Sequence, residues 1–254
     1  MAQVGNAKVS RTAPPGAKSD RARHERAANQ TEPKIAAKPR GAAAKRPSGA
    51  PSRVTSAIVF FREFLRSPAA VGALFPTSAA IGKAITSRIG LESAQFVAEI
   101  GAGTGPITKH ILRTINHERC TFFAVEINEK LAHEFRSRFP DVHLVCGDAL
   151  KLRSLAQQVR GTKHRGHAGL DAVVCAIPVS LLPAAARNAL FEEVAKSLKP
   201  GGWLSLITYQ VPMTPKAREL RRALRAHFDE VRMLPPVWGN VPPGFILQAR
   251  CRPK

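Results

Sequence analysis

Residues 95–112 read QFVAEIGAGTGPITKHIL. An apolar run from Phe96 to Ile100 carries one acid, Glu99, and leads into Gly101, Gly103 and Gly105 at alternate positions, after which the residues take on helical spacing. Such a run reads as a short strand, and glycines let the following backbone turn sharply and approach a ligand with no Cβ in the way. In an open parallel sheet, ligands sit outside the carboxyl ends of the strands, near the point where the strand order reverses. The spacing is G-x-G-x-G followed by Pro106, not the G-x-G-x-x-G of a dinucleotide fingerprint. The acid ahead of the loop suits the cationic end of a ligand, such as an amino group, better than a pyrophosphate.

Working outward, the chain alternates. Strand candidates are 96–100, 120–126, 142–147, 170–178 and 202–210, separated by helical patterns at about 106–116, 128–138, 150–159, 184–198 and 215–226. That alternation predicts an α/β fold, a doubly wound parallel sheet with helices on both faces. The chain ends differently. FDEVRMLPPV and GFILQARC are strand-like runs joined by a Pro-rich loop with no helix between them, which makes an antiparallel hairpin. Upstream, TSAIVFFREFLRSP predicts a helix over 55–66 that Pro68 stops, and a second helix follows that Thr77 or Ser78 would cap. Residues 1–52 hold no Phe, Trp or Tyr and are rich in Ala, Pro, Lys and Arg, which predicts a disordered basic tail ahead of a domain over 53–254.

The chain of 254 residues has a formal net charge of +21, of which residues 1–55 carry +9. A charge this positive points to an anionic partner, and nucleic acid or an acidic lipid surface both qualify. Cys120, Cys146, Cys175 and Cys251 are scattered without a CxxC, so they read as core thiols in a reducing compartment. No apolar run approaches the roughly 20 residues that span a bilayer, and the N-terminus lacks the apolar segment of a secretory signal. His164 and His167 in KHRGHAG read as a solvated loop, and no metal site is expected.

Two further acids complete the pattern. Glu126 ends the second strand candidate, where a carboxylate can accept from both hydroxyls of a ribose, and Asp148 follows the third, placed to accept from an adenine amino group. Three acids at the ends of three consecutive strands, one beside a G-x-G-x-G loop, resemble the class I S-adenosylmethionine-dependent methyltransferases over about residues 75–252. The resemblance implies a Rossmann-like seven-stranded sheet with a reversed last hairpin and S-adenosylmethionine as cofactor. It also implies that Gly101, Gly103 and Gly105 pack against the methionine part and ribose, that Glu126 binds the ribose, that Asp148 and Ala149 bind adenine, and that Ile177 and Pro178 lie beside the reactive methyl group.

RNA adenine dimethylases carry N-[IL]-P-[FY] after the fourth strand. This chain has CAIPVS, in which Cys175 supplies no amide oxygen and Val179 cannot stack on a base, although Pro178 keeps the turn. The chain more closely resembles the bacterial phospholipid N-methyltransferases that convert phosphatidylethanolamine toward phosphatidylcholine. FFREFLRSPAAVGALFPTSAAIGKAI, EIGAGTGPITKHIL, AIPVSLLPAAARNALFEEVAKSLKPGG and VWGNVPPGFILQAR carry that resemblance, with Gly244 and Ala176 as small departures. It implies an aminophospholipid substrate, an anionic membrane surface as partner, and a cytoplasmic, peripherally membrane-associated protein. Nucleic acid bound through the basic tail is the less favoured partner, and oligomeric state is left open. Tyr209 at the end of the fifth strand and Asn240 in the last hairpin loop are the candidate catalytic residues, and Trp238 could hold a methylated ammonium by cation–π contact. In the helix over 55–66, Ile58, Phe60, Phe61, Phe64 and Leu65 fill one half, and Arg62, Glu63 and Arg66 the other. That pattern suits a helix in a headgroup interface or a lid packed on the domain.

Overall fold

A computed structural model describes residues 78–160, 169–238 and 243–252. The expectations for the tail, for the helix over 55–66 with Phe60, Phe61, Arg62, Phe64, Leu65 and Arg66, and for His164, His167 and Asn240 lie outside the described residues.

One seven-stranded sheet organises the described chain, in the order β3-β2-β1-β4-β5-β7-β6. The strands are β1 (Phe96–Ile100), β2 (Thr121–Glu126), β3 (His143–Cys146), β4 (Leu170–Cys175), β5 (Leu198–Thr208), β6 (Glu230–Met233) and β7 (Phe245–Arg250). β1 to β5 run parallel, and β7 lies antiparallel between β5 and β6. The reversed hairpin expected from FDEVRMLPPV and GFILQARC is there. Between the strands lie α1 (Ala79–Thr86), α2 (Thr108–Thr114), α3 (Glu129–Arg138), α4 (Leu152–Arg160), α5 (Ala184–Ser197) and α6 (Pro215–Arg225).

β1 is buried on both faces, as a central parallel strand must be. Phe96, Ala98 and Ile100 join the layer with α4, α5 and α6, whereas Val97 joins the layer with α1, α2 and α3. Caps fix where the helices begin. Ser78 accepts from the Ile81 amide at 3.3 Å, Asn128 from those of Lys130 and Leu131, and Thr214 from that of Ala217, with Pro215 at the first position of α6. α1 is tied to the sheet by polar contacts: Ser205 Oγ donates to the Ile85 carbonyl at 2.7 Å, and Gln248 Nε2 to the Ser87 carbonyl at 2.8 Å. Gly244 leaves room for Ile81, whose Cδ1 would lie 2.9 Å from a Cβ there.

Three expectations are corrected. β4 ends at Cys175 rather than 178, because the chain turns at Ile177–Pro178 into the short 3₁₀ turn Val179–Leu181. β5 starts at Leu198 and ends at Thr208, since a register irregularity between Leu170 and Ala172 lets Leu198 pair with Leu170; Tyr209 lies one residue past the strand. The cysteines are not uniformly core thiols. Cys175 is buried, Cys120 and Cys251 are half-buried, and Cys146 is exposed on the edge strand β3. Burial pushes the Cys120 and Cys175 thiols up to about 12. Among the described residues no helix is long and apolar enough to cross a membrane, and none forms a group of side chains able to hold a metal ion.

Candidate active site

The order β3-β2-β1-β4 places the topological switch between β1 and β4. A recess open to solvent lies there, lined by Gly101, Val125, Glu126, Ile127, Gly147, Ala149, Ala176 and Ile177. Each lining residue comes from the carboxyl end of a strand or the turn after it. The turns are pinned by backbone bonds: Gly101 and Ala102 donate to the Val125 carbonyl, Gly147 to that of Glu126, and Ala176 to that of Ile100.

Glu126 is the polar centre. Its side chain is only 5% exposed. Oε2 accepts from the Gly103 amide and Oε1 from the Asn128 amide, each at 2.8 Å. Burial raises its pKa, and the amides of Asn128, Gly103 and Ile127 pull it back. A carboxylate offers about four lone-pair sites, more than these backbone amides fill, which leaves acceptor capacity for a hydroxyl of a ligand in the recess. Glu126 thus shapes the glycine loop as well as facing the recess, a role its sequence position did not reveal. Asn128 was missed altogether; its position two residues after a strand-end acid and just before a helix is the signal that could have found it. Thr108, also missed, donates to Glu99 Oε2 at 2.6 Å.

Glu99 lies beneath the loop rather than in the lining, with no exposed surface. Desolvation by burial, offset in part by the Thr108 hydroxyl, pushes its pKa up to about 8. Its Oε1 is buried and has no hydrogen-bond partner among the described residues. An orphaned buried carboxyl oxygen is costly, and a donor group of a ligand would satisfy it.

The glycines play unequal parts. Gly101 has φ +73°, and a Cβ there would lie 2.5 Å from Ile177 Cγ1, so the loop and the β4 turn touch only because the side chain is missing. Gly103 has φ +57° and a Cβ would meet nothing within 4 Å, so its missing side chain keeps open space at the loop. Gly105 packs against the Phe139 ring, away from the recess lining. Asp148 lies beside the recess and caps the turn Ala149–Lys151, accepting from the Leu150 amide at 2.9 Å. Ala149 and Ile177 line the recess, and Pro178 turns the chain after Ile177. Cys175 points into the core and Ala176 lines the recess, so Ala176, not Cys175, occupies the position of the amide in the dimethylase motif. Neither supplies an amide. Tyr209 is half-buried against the layer that holds α1, and Trp238 is 76% exposed.

These residues fit S-adenosylmethionine. The orphaned oxygen of Glu99 can take the amino group, the open space at Gly103 the methionine and ribose, Glu126 the hydroxyls, and the small or apolar Gly147, Ala149 and Ile127 a flat purine. Comparison with known proteins agrees. Residues 97–202 match the family described as a methyltransferase domain. The ornithine lipid N-methyltransferase of Singulisphaera acidiphila is 33% identical over 187 residues, covering 70% of this chain and 91% of that protein. Ribosomal RNA small subunit methyltransferase A of Thermotoga petrophila is 33% identical over 90 residues, 34% of this chain and 33% of that one. In fold, the chain is similar to the O-methyltransferase TomG of Streptomyces achromogenes in complex with SAM (TM-score 0.51, 19% identity, covering 80% of this chain and 91% of that one). It is similarly close to an O-methyltransferase from Bacillus cereus in complex with SAH (TM-score 0.51, 18% identity, 80% and 93%). By its matched domain and by the relative it spans almost end to end, the chain belongs to the S-adenosylmethionine-dependent methyltransferases.

Proposed function

We propose that the chain N-methylates the primary amine of a membrane-lipid headgroup, phosphatidylethanolamine toward phosphatidylcholine. The observation that carries this reading is the small, apolar turn Ala176–Ile177–Pro178–Val179 at the recess, which has no amide to read an adenine and no ring to stack on one. The relative named for ornithine lipid supports a lipid amine as acceptor and makes ornithine lipid the second candidate, since its headgroup also ends in a primary amine.

The bound cofactor supplies an activated methyl on a sulfonium, so the protein's task is mainly to position the acceptor. Glu126 and the loop it pins hold one side of the recess, and Ile177 bounds the exit toward the acceptor. A primary amine resembles that of Lys and is mostly protonated near neutral pH, so its proton must pass to water before the nitrogen lone pair can take the methyl and release the thioether. Tyr209, at the carboxyl end of β5, is the group we assign to orienting the amine by accepting from its N–H. The charge favours a membrane surface over a neutral one, and the basic residues outside the recess would hold the protein peripherally on it.

The test is direct. Purified protein is incubated with labelled S-adenosylmethionine and, separately, vesicles containing phosphatidylethanolamine, vesicles containing ornithine lipid, and ribosomal RNA. Label on phosphatidylethanolamine is the expected result, and label on ornithine lipid alone moves the substrate to the second candidate. Label on RNA adenine with none on lipid overturns the reading.

A further inference from the structure

All five large apolar side chains that stand exposed among the described residues lie at one end of the sheet. They are Met213 at 83% exposure, Trp238 at 76%, Val211 at 56%, and Leu181 and Met233 at 41% each. Leu181 follows β4, Val211 and Met213 follow β5, Met233 ends β6, and Trp238 lies in the connection from β6 to β7. β6 and β5 are both antiparallel to β7, so β6 ends on the same side as β5. That side is the carboxyl end, where the cofactor recess opens. Scattered exposed apolar side chains are ordinary on any protein, but their concentration around one mouth is not.

Charge sharpens the picture. Segments 176–183, 209–214 and 234–244, which carry four of the five, contain no Asp, Glu, Lys or Arg. Cations stand just outside them. Lys216 and Arg218 are exposed on the first turns of α6, immediately after Met213. Arg221 Nη1 donates to the Pro212 carbonyl at 2.9 Å, which steadies the loop that presents Val211 and Met213.

We infer that this rim is the docking surface for an anionic phospholipid bilayer, with Val211, Met213 and Trp238 entering the headgroup–acyl boundary and Lys216 and Arg218 on the anionic headgroups. An uncharged apolar centre flanked by cations is the pattern of interfacial binding. A nucleic-acid surface would instead set its cations where phosphates lie, at the rim itself. The docking rests on the aminolipid reading of the site, and it adds to it: a headgroup amine reaches the recess while the acyl chains stay in the bilayer.

Fluorescence at Trp238 tests the inference in the full-length chain. Trp203→Phe leaves Trp238 as the sole tryptophan of the two. Should that variant not fold, the difference in emission between the wild type and Trp238→Phe carries the same signal. The vesicles contain phosphatidylcholine and phosphatidylglycerol without aminolipid, and their acyl chains are brominated. Docking predicts a blue shift and at least about twofold quenching of Trp238, and a loss of about tenfold or more in vesicle affinity for Val211→Glu/Met213→Glu with S-adenosylmethionine affinity unchanged. Sedimentation with vesicles but no quenching would mean that another surface, such as the basic tail, holds the protein, and it overturns the inference. So does a dimer in light scattering that the double variant abolishes while lipid leaves Trp238 unquenched. Methyl transfer to aminolipid in detergent micelles separates the two readings. Quenching without methylation sinks the substrate assignment alone, and methylation without quenching sinks the docking surface alone.

Discussion

Replacing Glu126 by Gln exchanges one carboxylate oxygen for an NH₂ at a position where both oxygens accept backbone bonds. Gly103 and Asn128 donate to them at 2.8 Å each. Whichever way the amide turns, its NH₂ meets a backbone N–H. One charge-assisted bond is lost, worth about 1.5–3 kcal/mol, and a donor is left unpaired at a cost of about 1–3 kcal/mol. At 5% exposure water offers little relief. Some relaxation of the loop is expected, which puts the local cost at about 2–4 kcal/mol. Spent on opening the glycine loop, that cost corresponds to a rise of roughly 30- to 700-fold in the open population. Amide hydrogen exchange at Gly103 should accelerate accordingly, and calorimetry should show S-adenosylmethionine binding weakened by at least about tenfold. Glu126→Ala should also weaken binding, although it frees both amides at once and so loosens the loop further. Wild-type exchange at Gly103 together with wild-type affinity in Glu126→Gln would falsify the role of this carboxylate as both loop clamp and ribose acceptor.

Two glycines of the loop, Gly101 and Gly103, should fail in different ways. Gly101→Ala faces a left-handed penalty of about 1–2 kcal/mol and overpacking of about 1–3 kcal/mol against Ile177, so its urea midpoint should drop markedly. Gly103→Ala faces only the backbone penalty but projects into open space, so calorimetry should show a loss of affinity out of proportion to its loss of stability; the reverse ranking refutes both assignments. Glu99 is raised from 4.5 to about 8, so between those values the folded state holds a proton that the unfolded state has released. Its contribution therefore falls as pH rises from about 4.5 to 8, by up to about 1.4 kcal/mol per pH unit, and urea titrations of Glu99→Gln should lack that slope. Gly82→Ala gains helix propensity of about 1 kcal/mol but would set a Cβ 2.1 Å from the His110 ring. It should destabilise, and His110→Ala should relieve the effect in a double-mutant cycle, whereas additive effects would mean that the two do not crowd each other.

Strands and helices were legible because their signals are local. Phe96–Ile100 matches the predicted strand to the residue, and α3, α5 and α6 begin within a residue of their predicted starts because Asn128, Pro183 and Thr214 with Pro215 punctuate the chain. Strand ends were less legible, because they depend on a partner. β5 extends back to Leu198 only through an irregularity on β4. The site was legible as a set of positions, not as a set of bonds. Gly101, Glu126, Ala149 and Ile177, all picked out from the sequence, line one recess. The pairing of Glu126 with Gly103, 23 residues earlier, and the burial of Glu99 needed the fold. So did Cys146, read as a core thiol because the cysteines are scattered without a CxxC, but exposed by its edge strand.

Net charge and local chemistry point to the acceptor with different strength. A charge of +21 attracts any polyanion and so cannot distinguish RNA from an acidic bilayer. What separates them is what an acceptor meets at the recess. A base lifted from RNA must be held by hydrogen bonds to its edge and by stacking on its face. Ala176, Ile177, Pro178 and Val179 offer neither, and the rim beyond them in 209–214 and 234–244 has no Lys or Arg to hold the adjoining phosphates. A headgroup amine asks for less: an opening, a path free of competing charge, and one acceptor for its N–H. The same small, uncharged residues that would leave a base unread leave that path clear. On the proposed reading, the surplus of positive charge would act at longer range by drawing the protein to an anionic surface, an attraction that should weaken with added salt as exposed charges are screened.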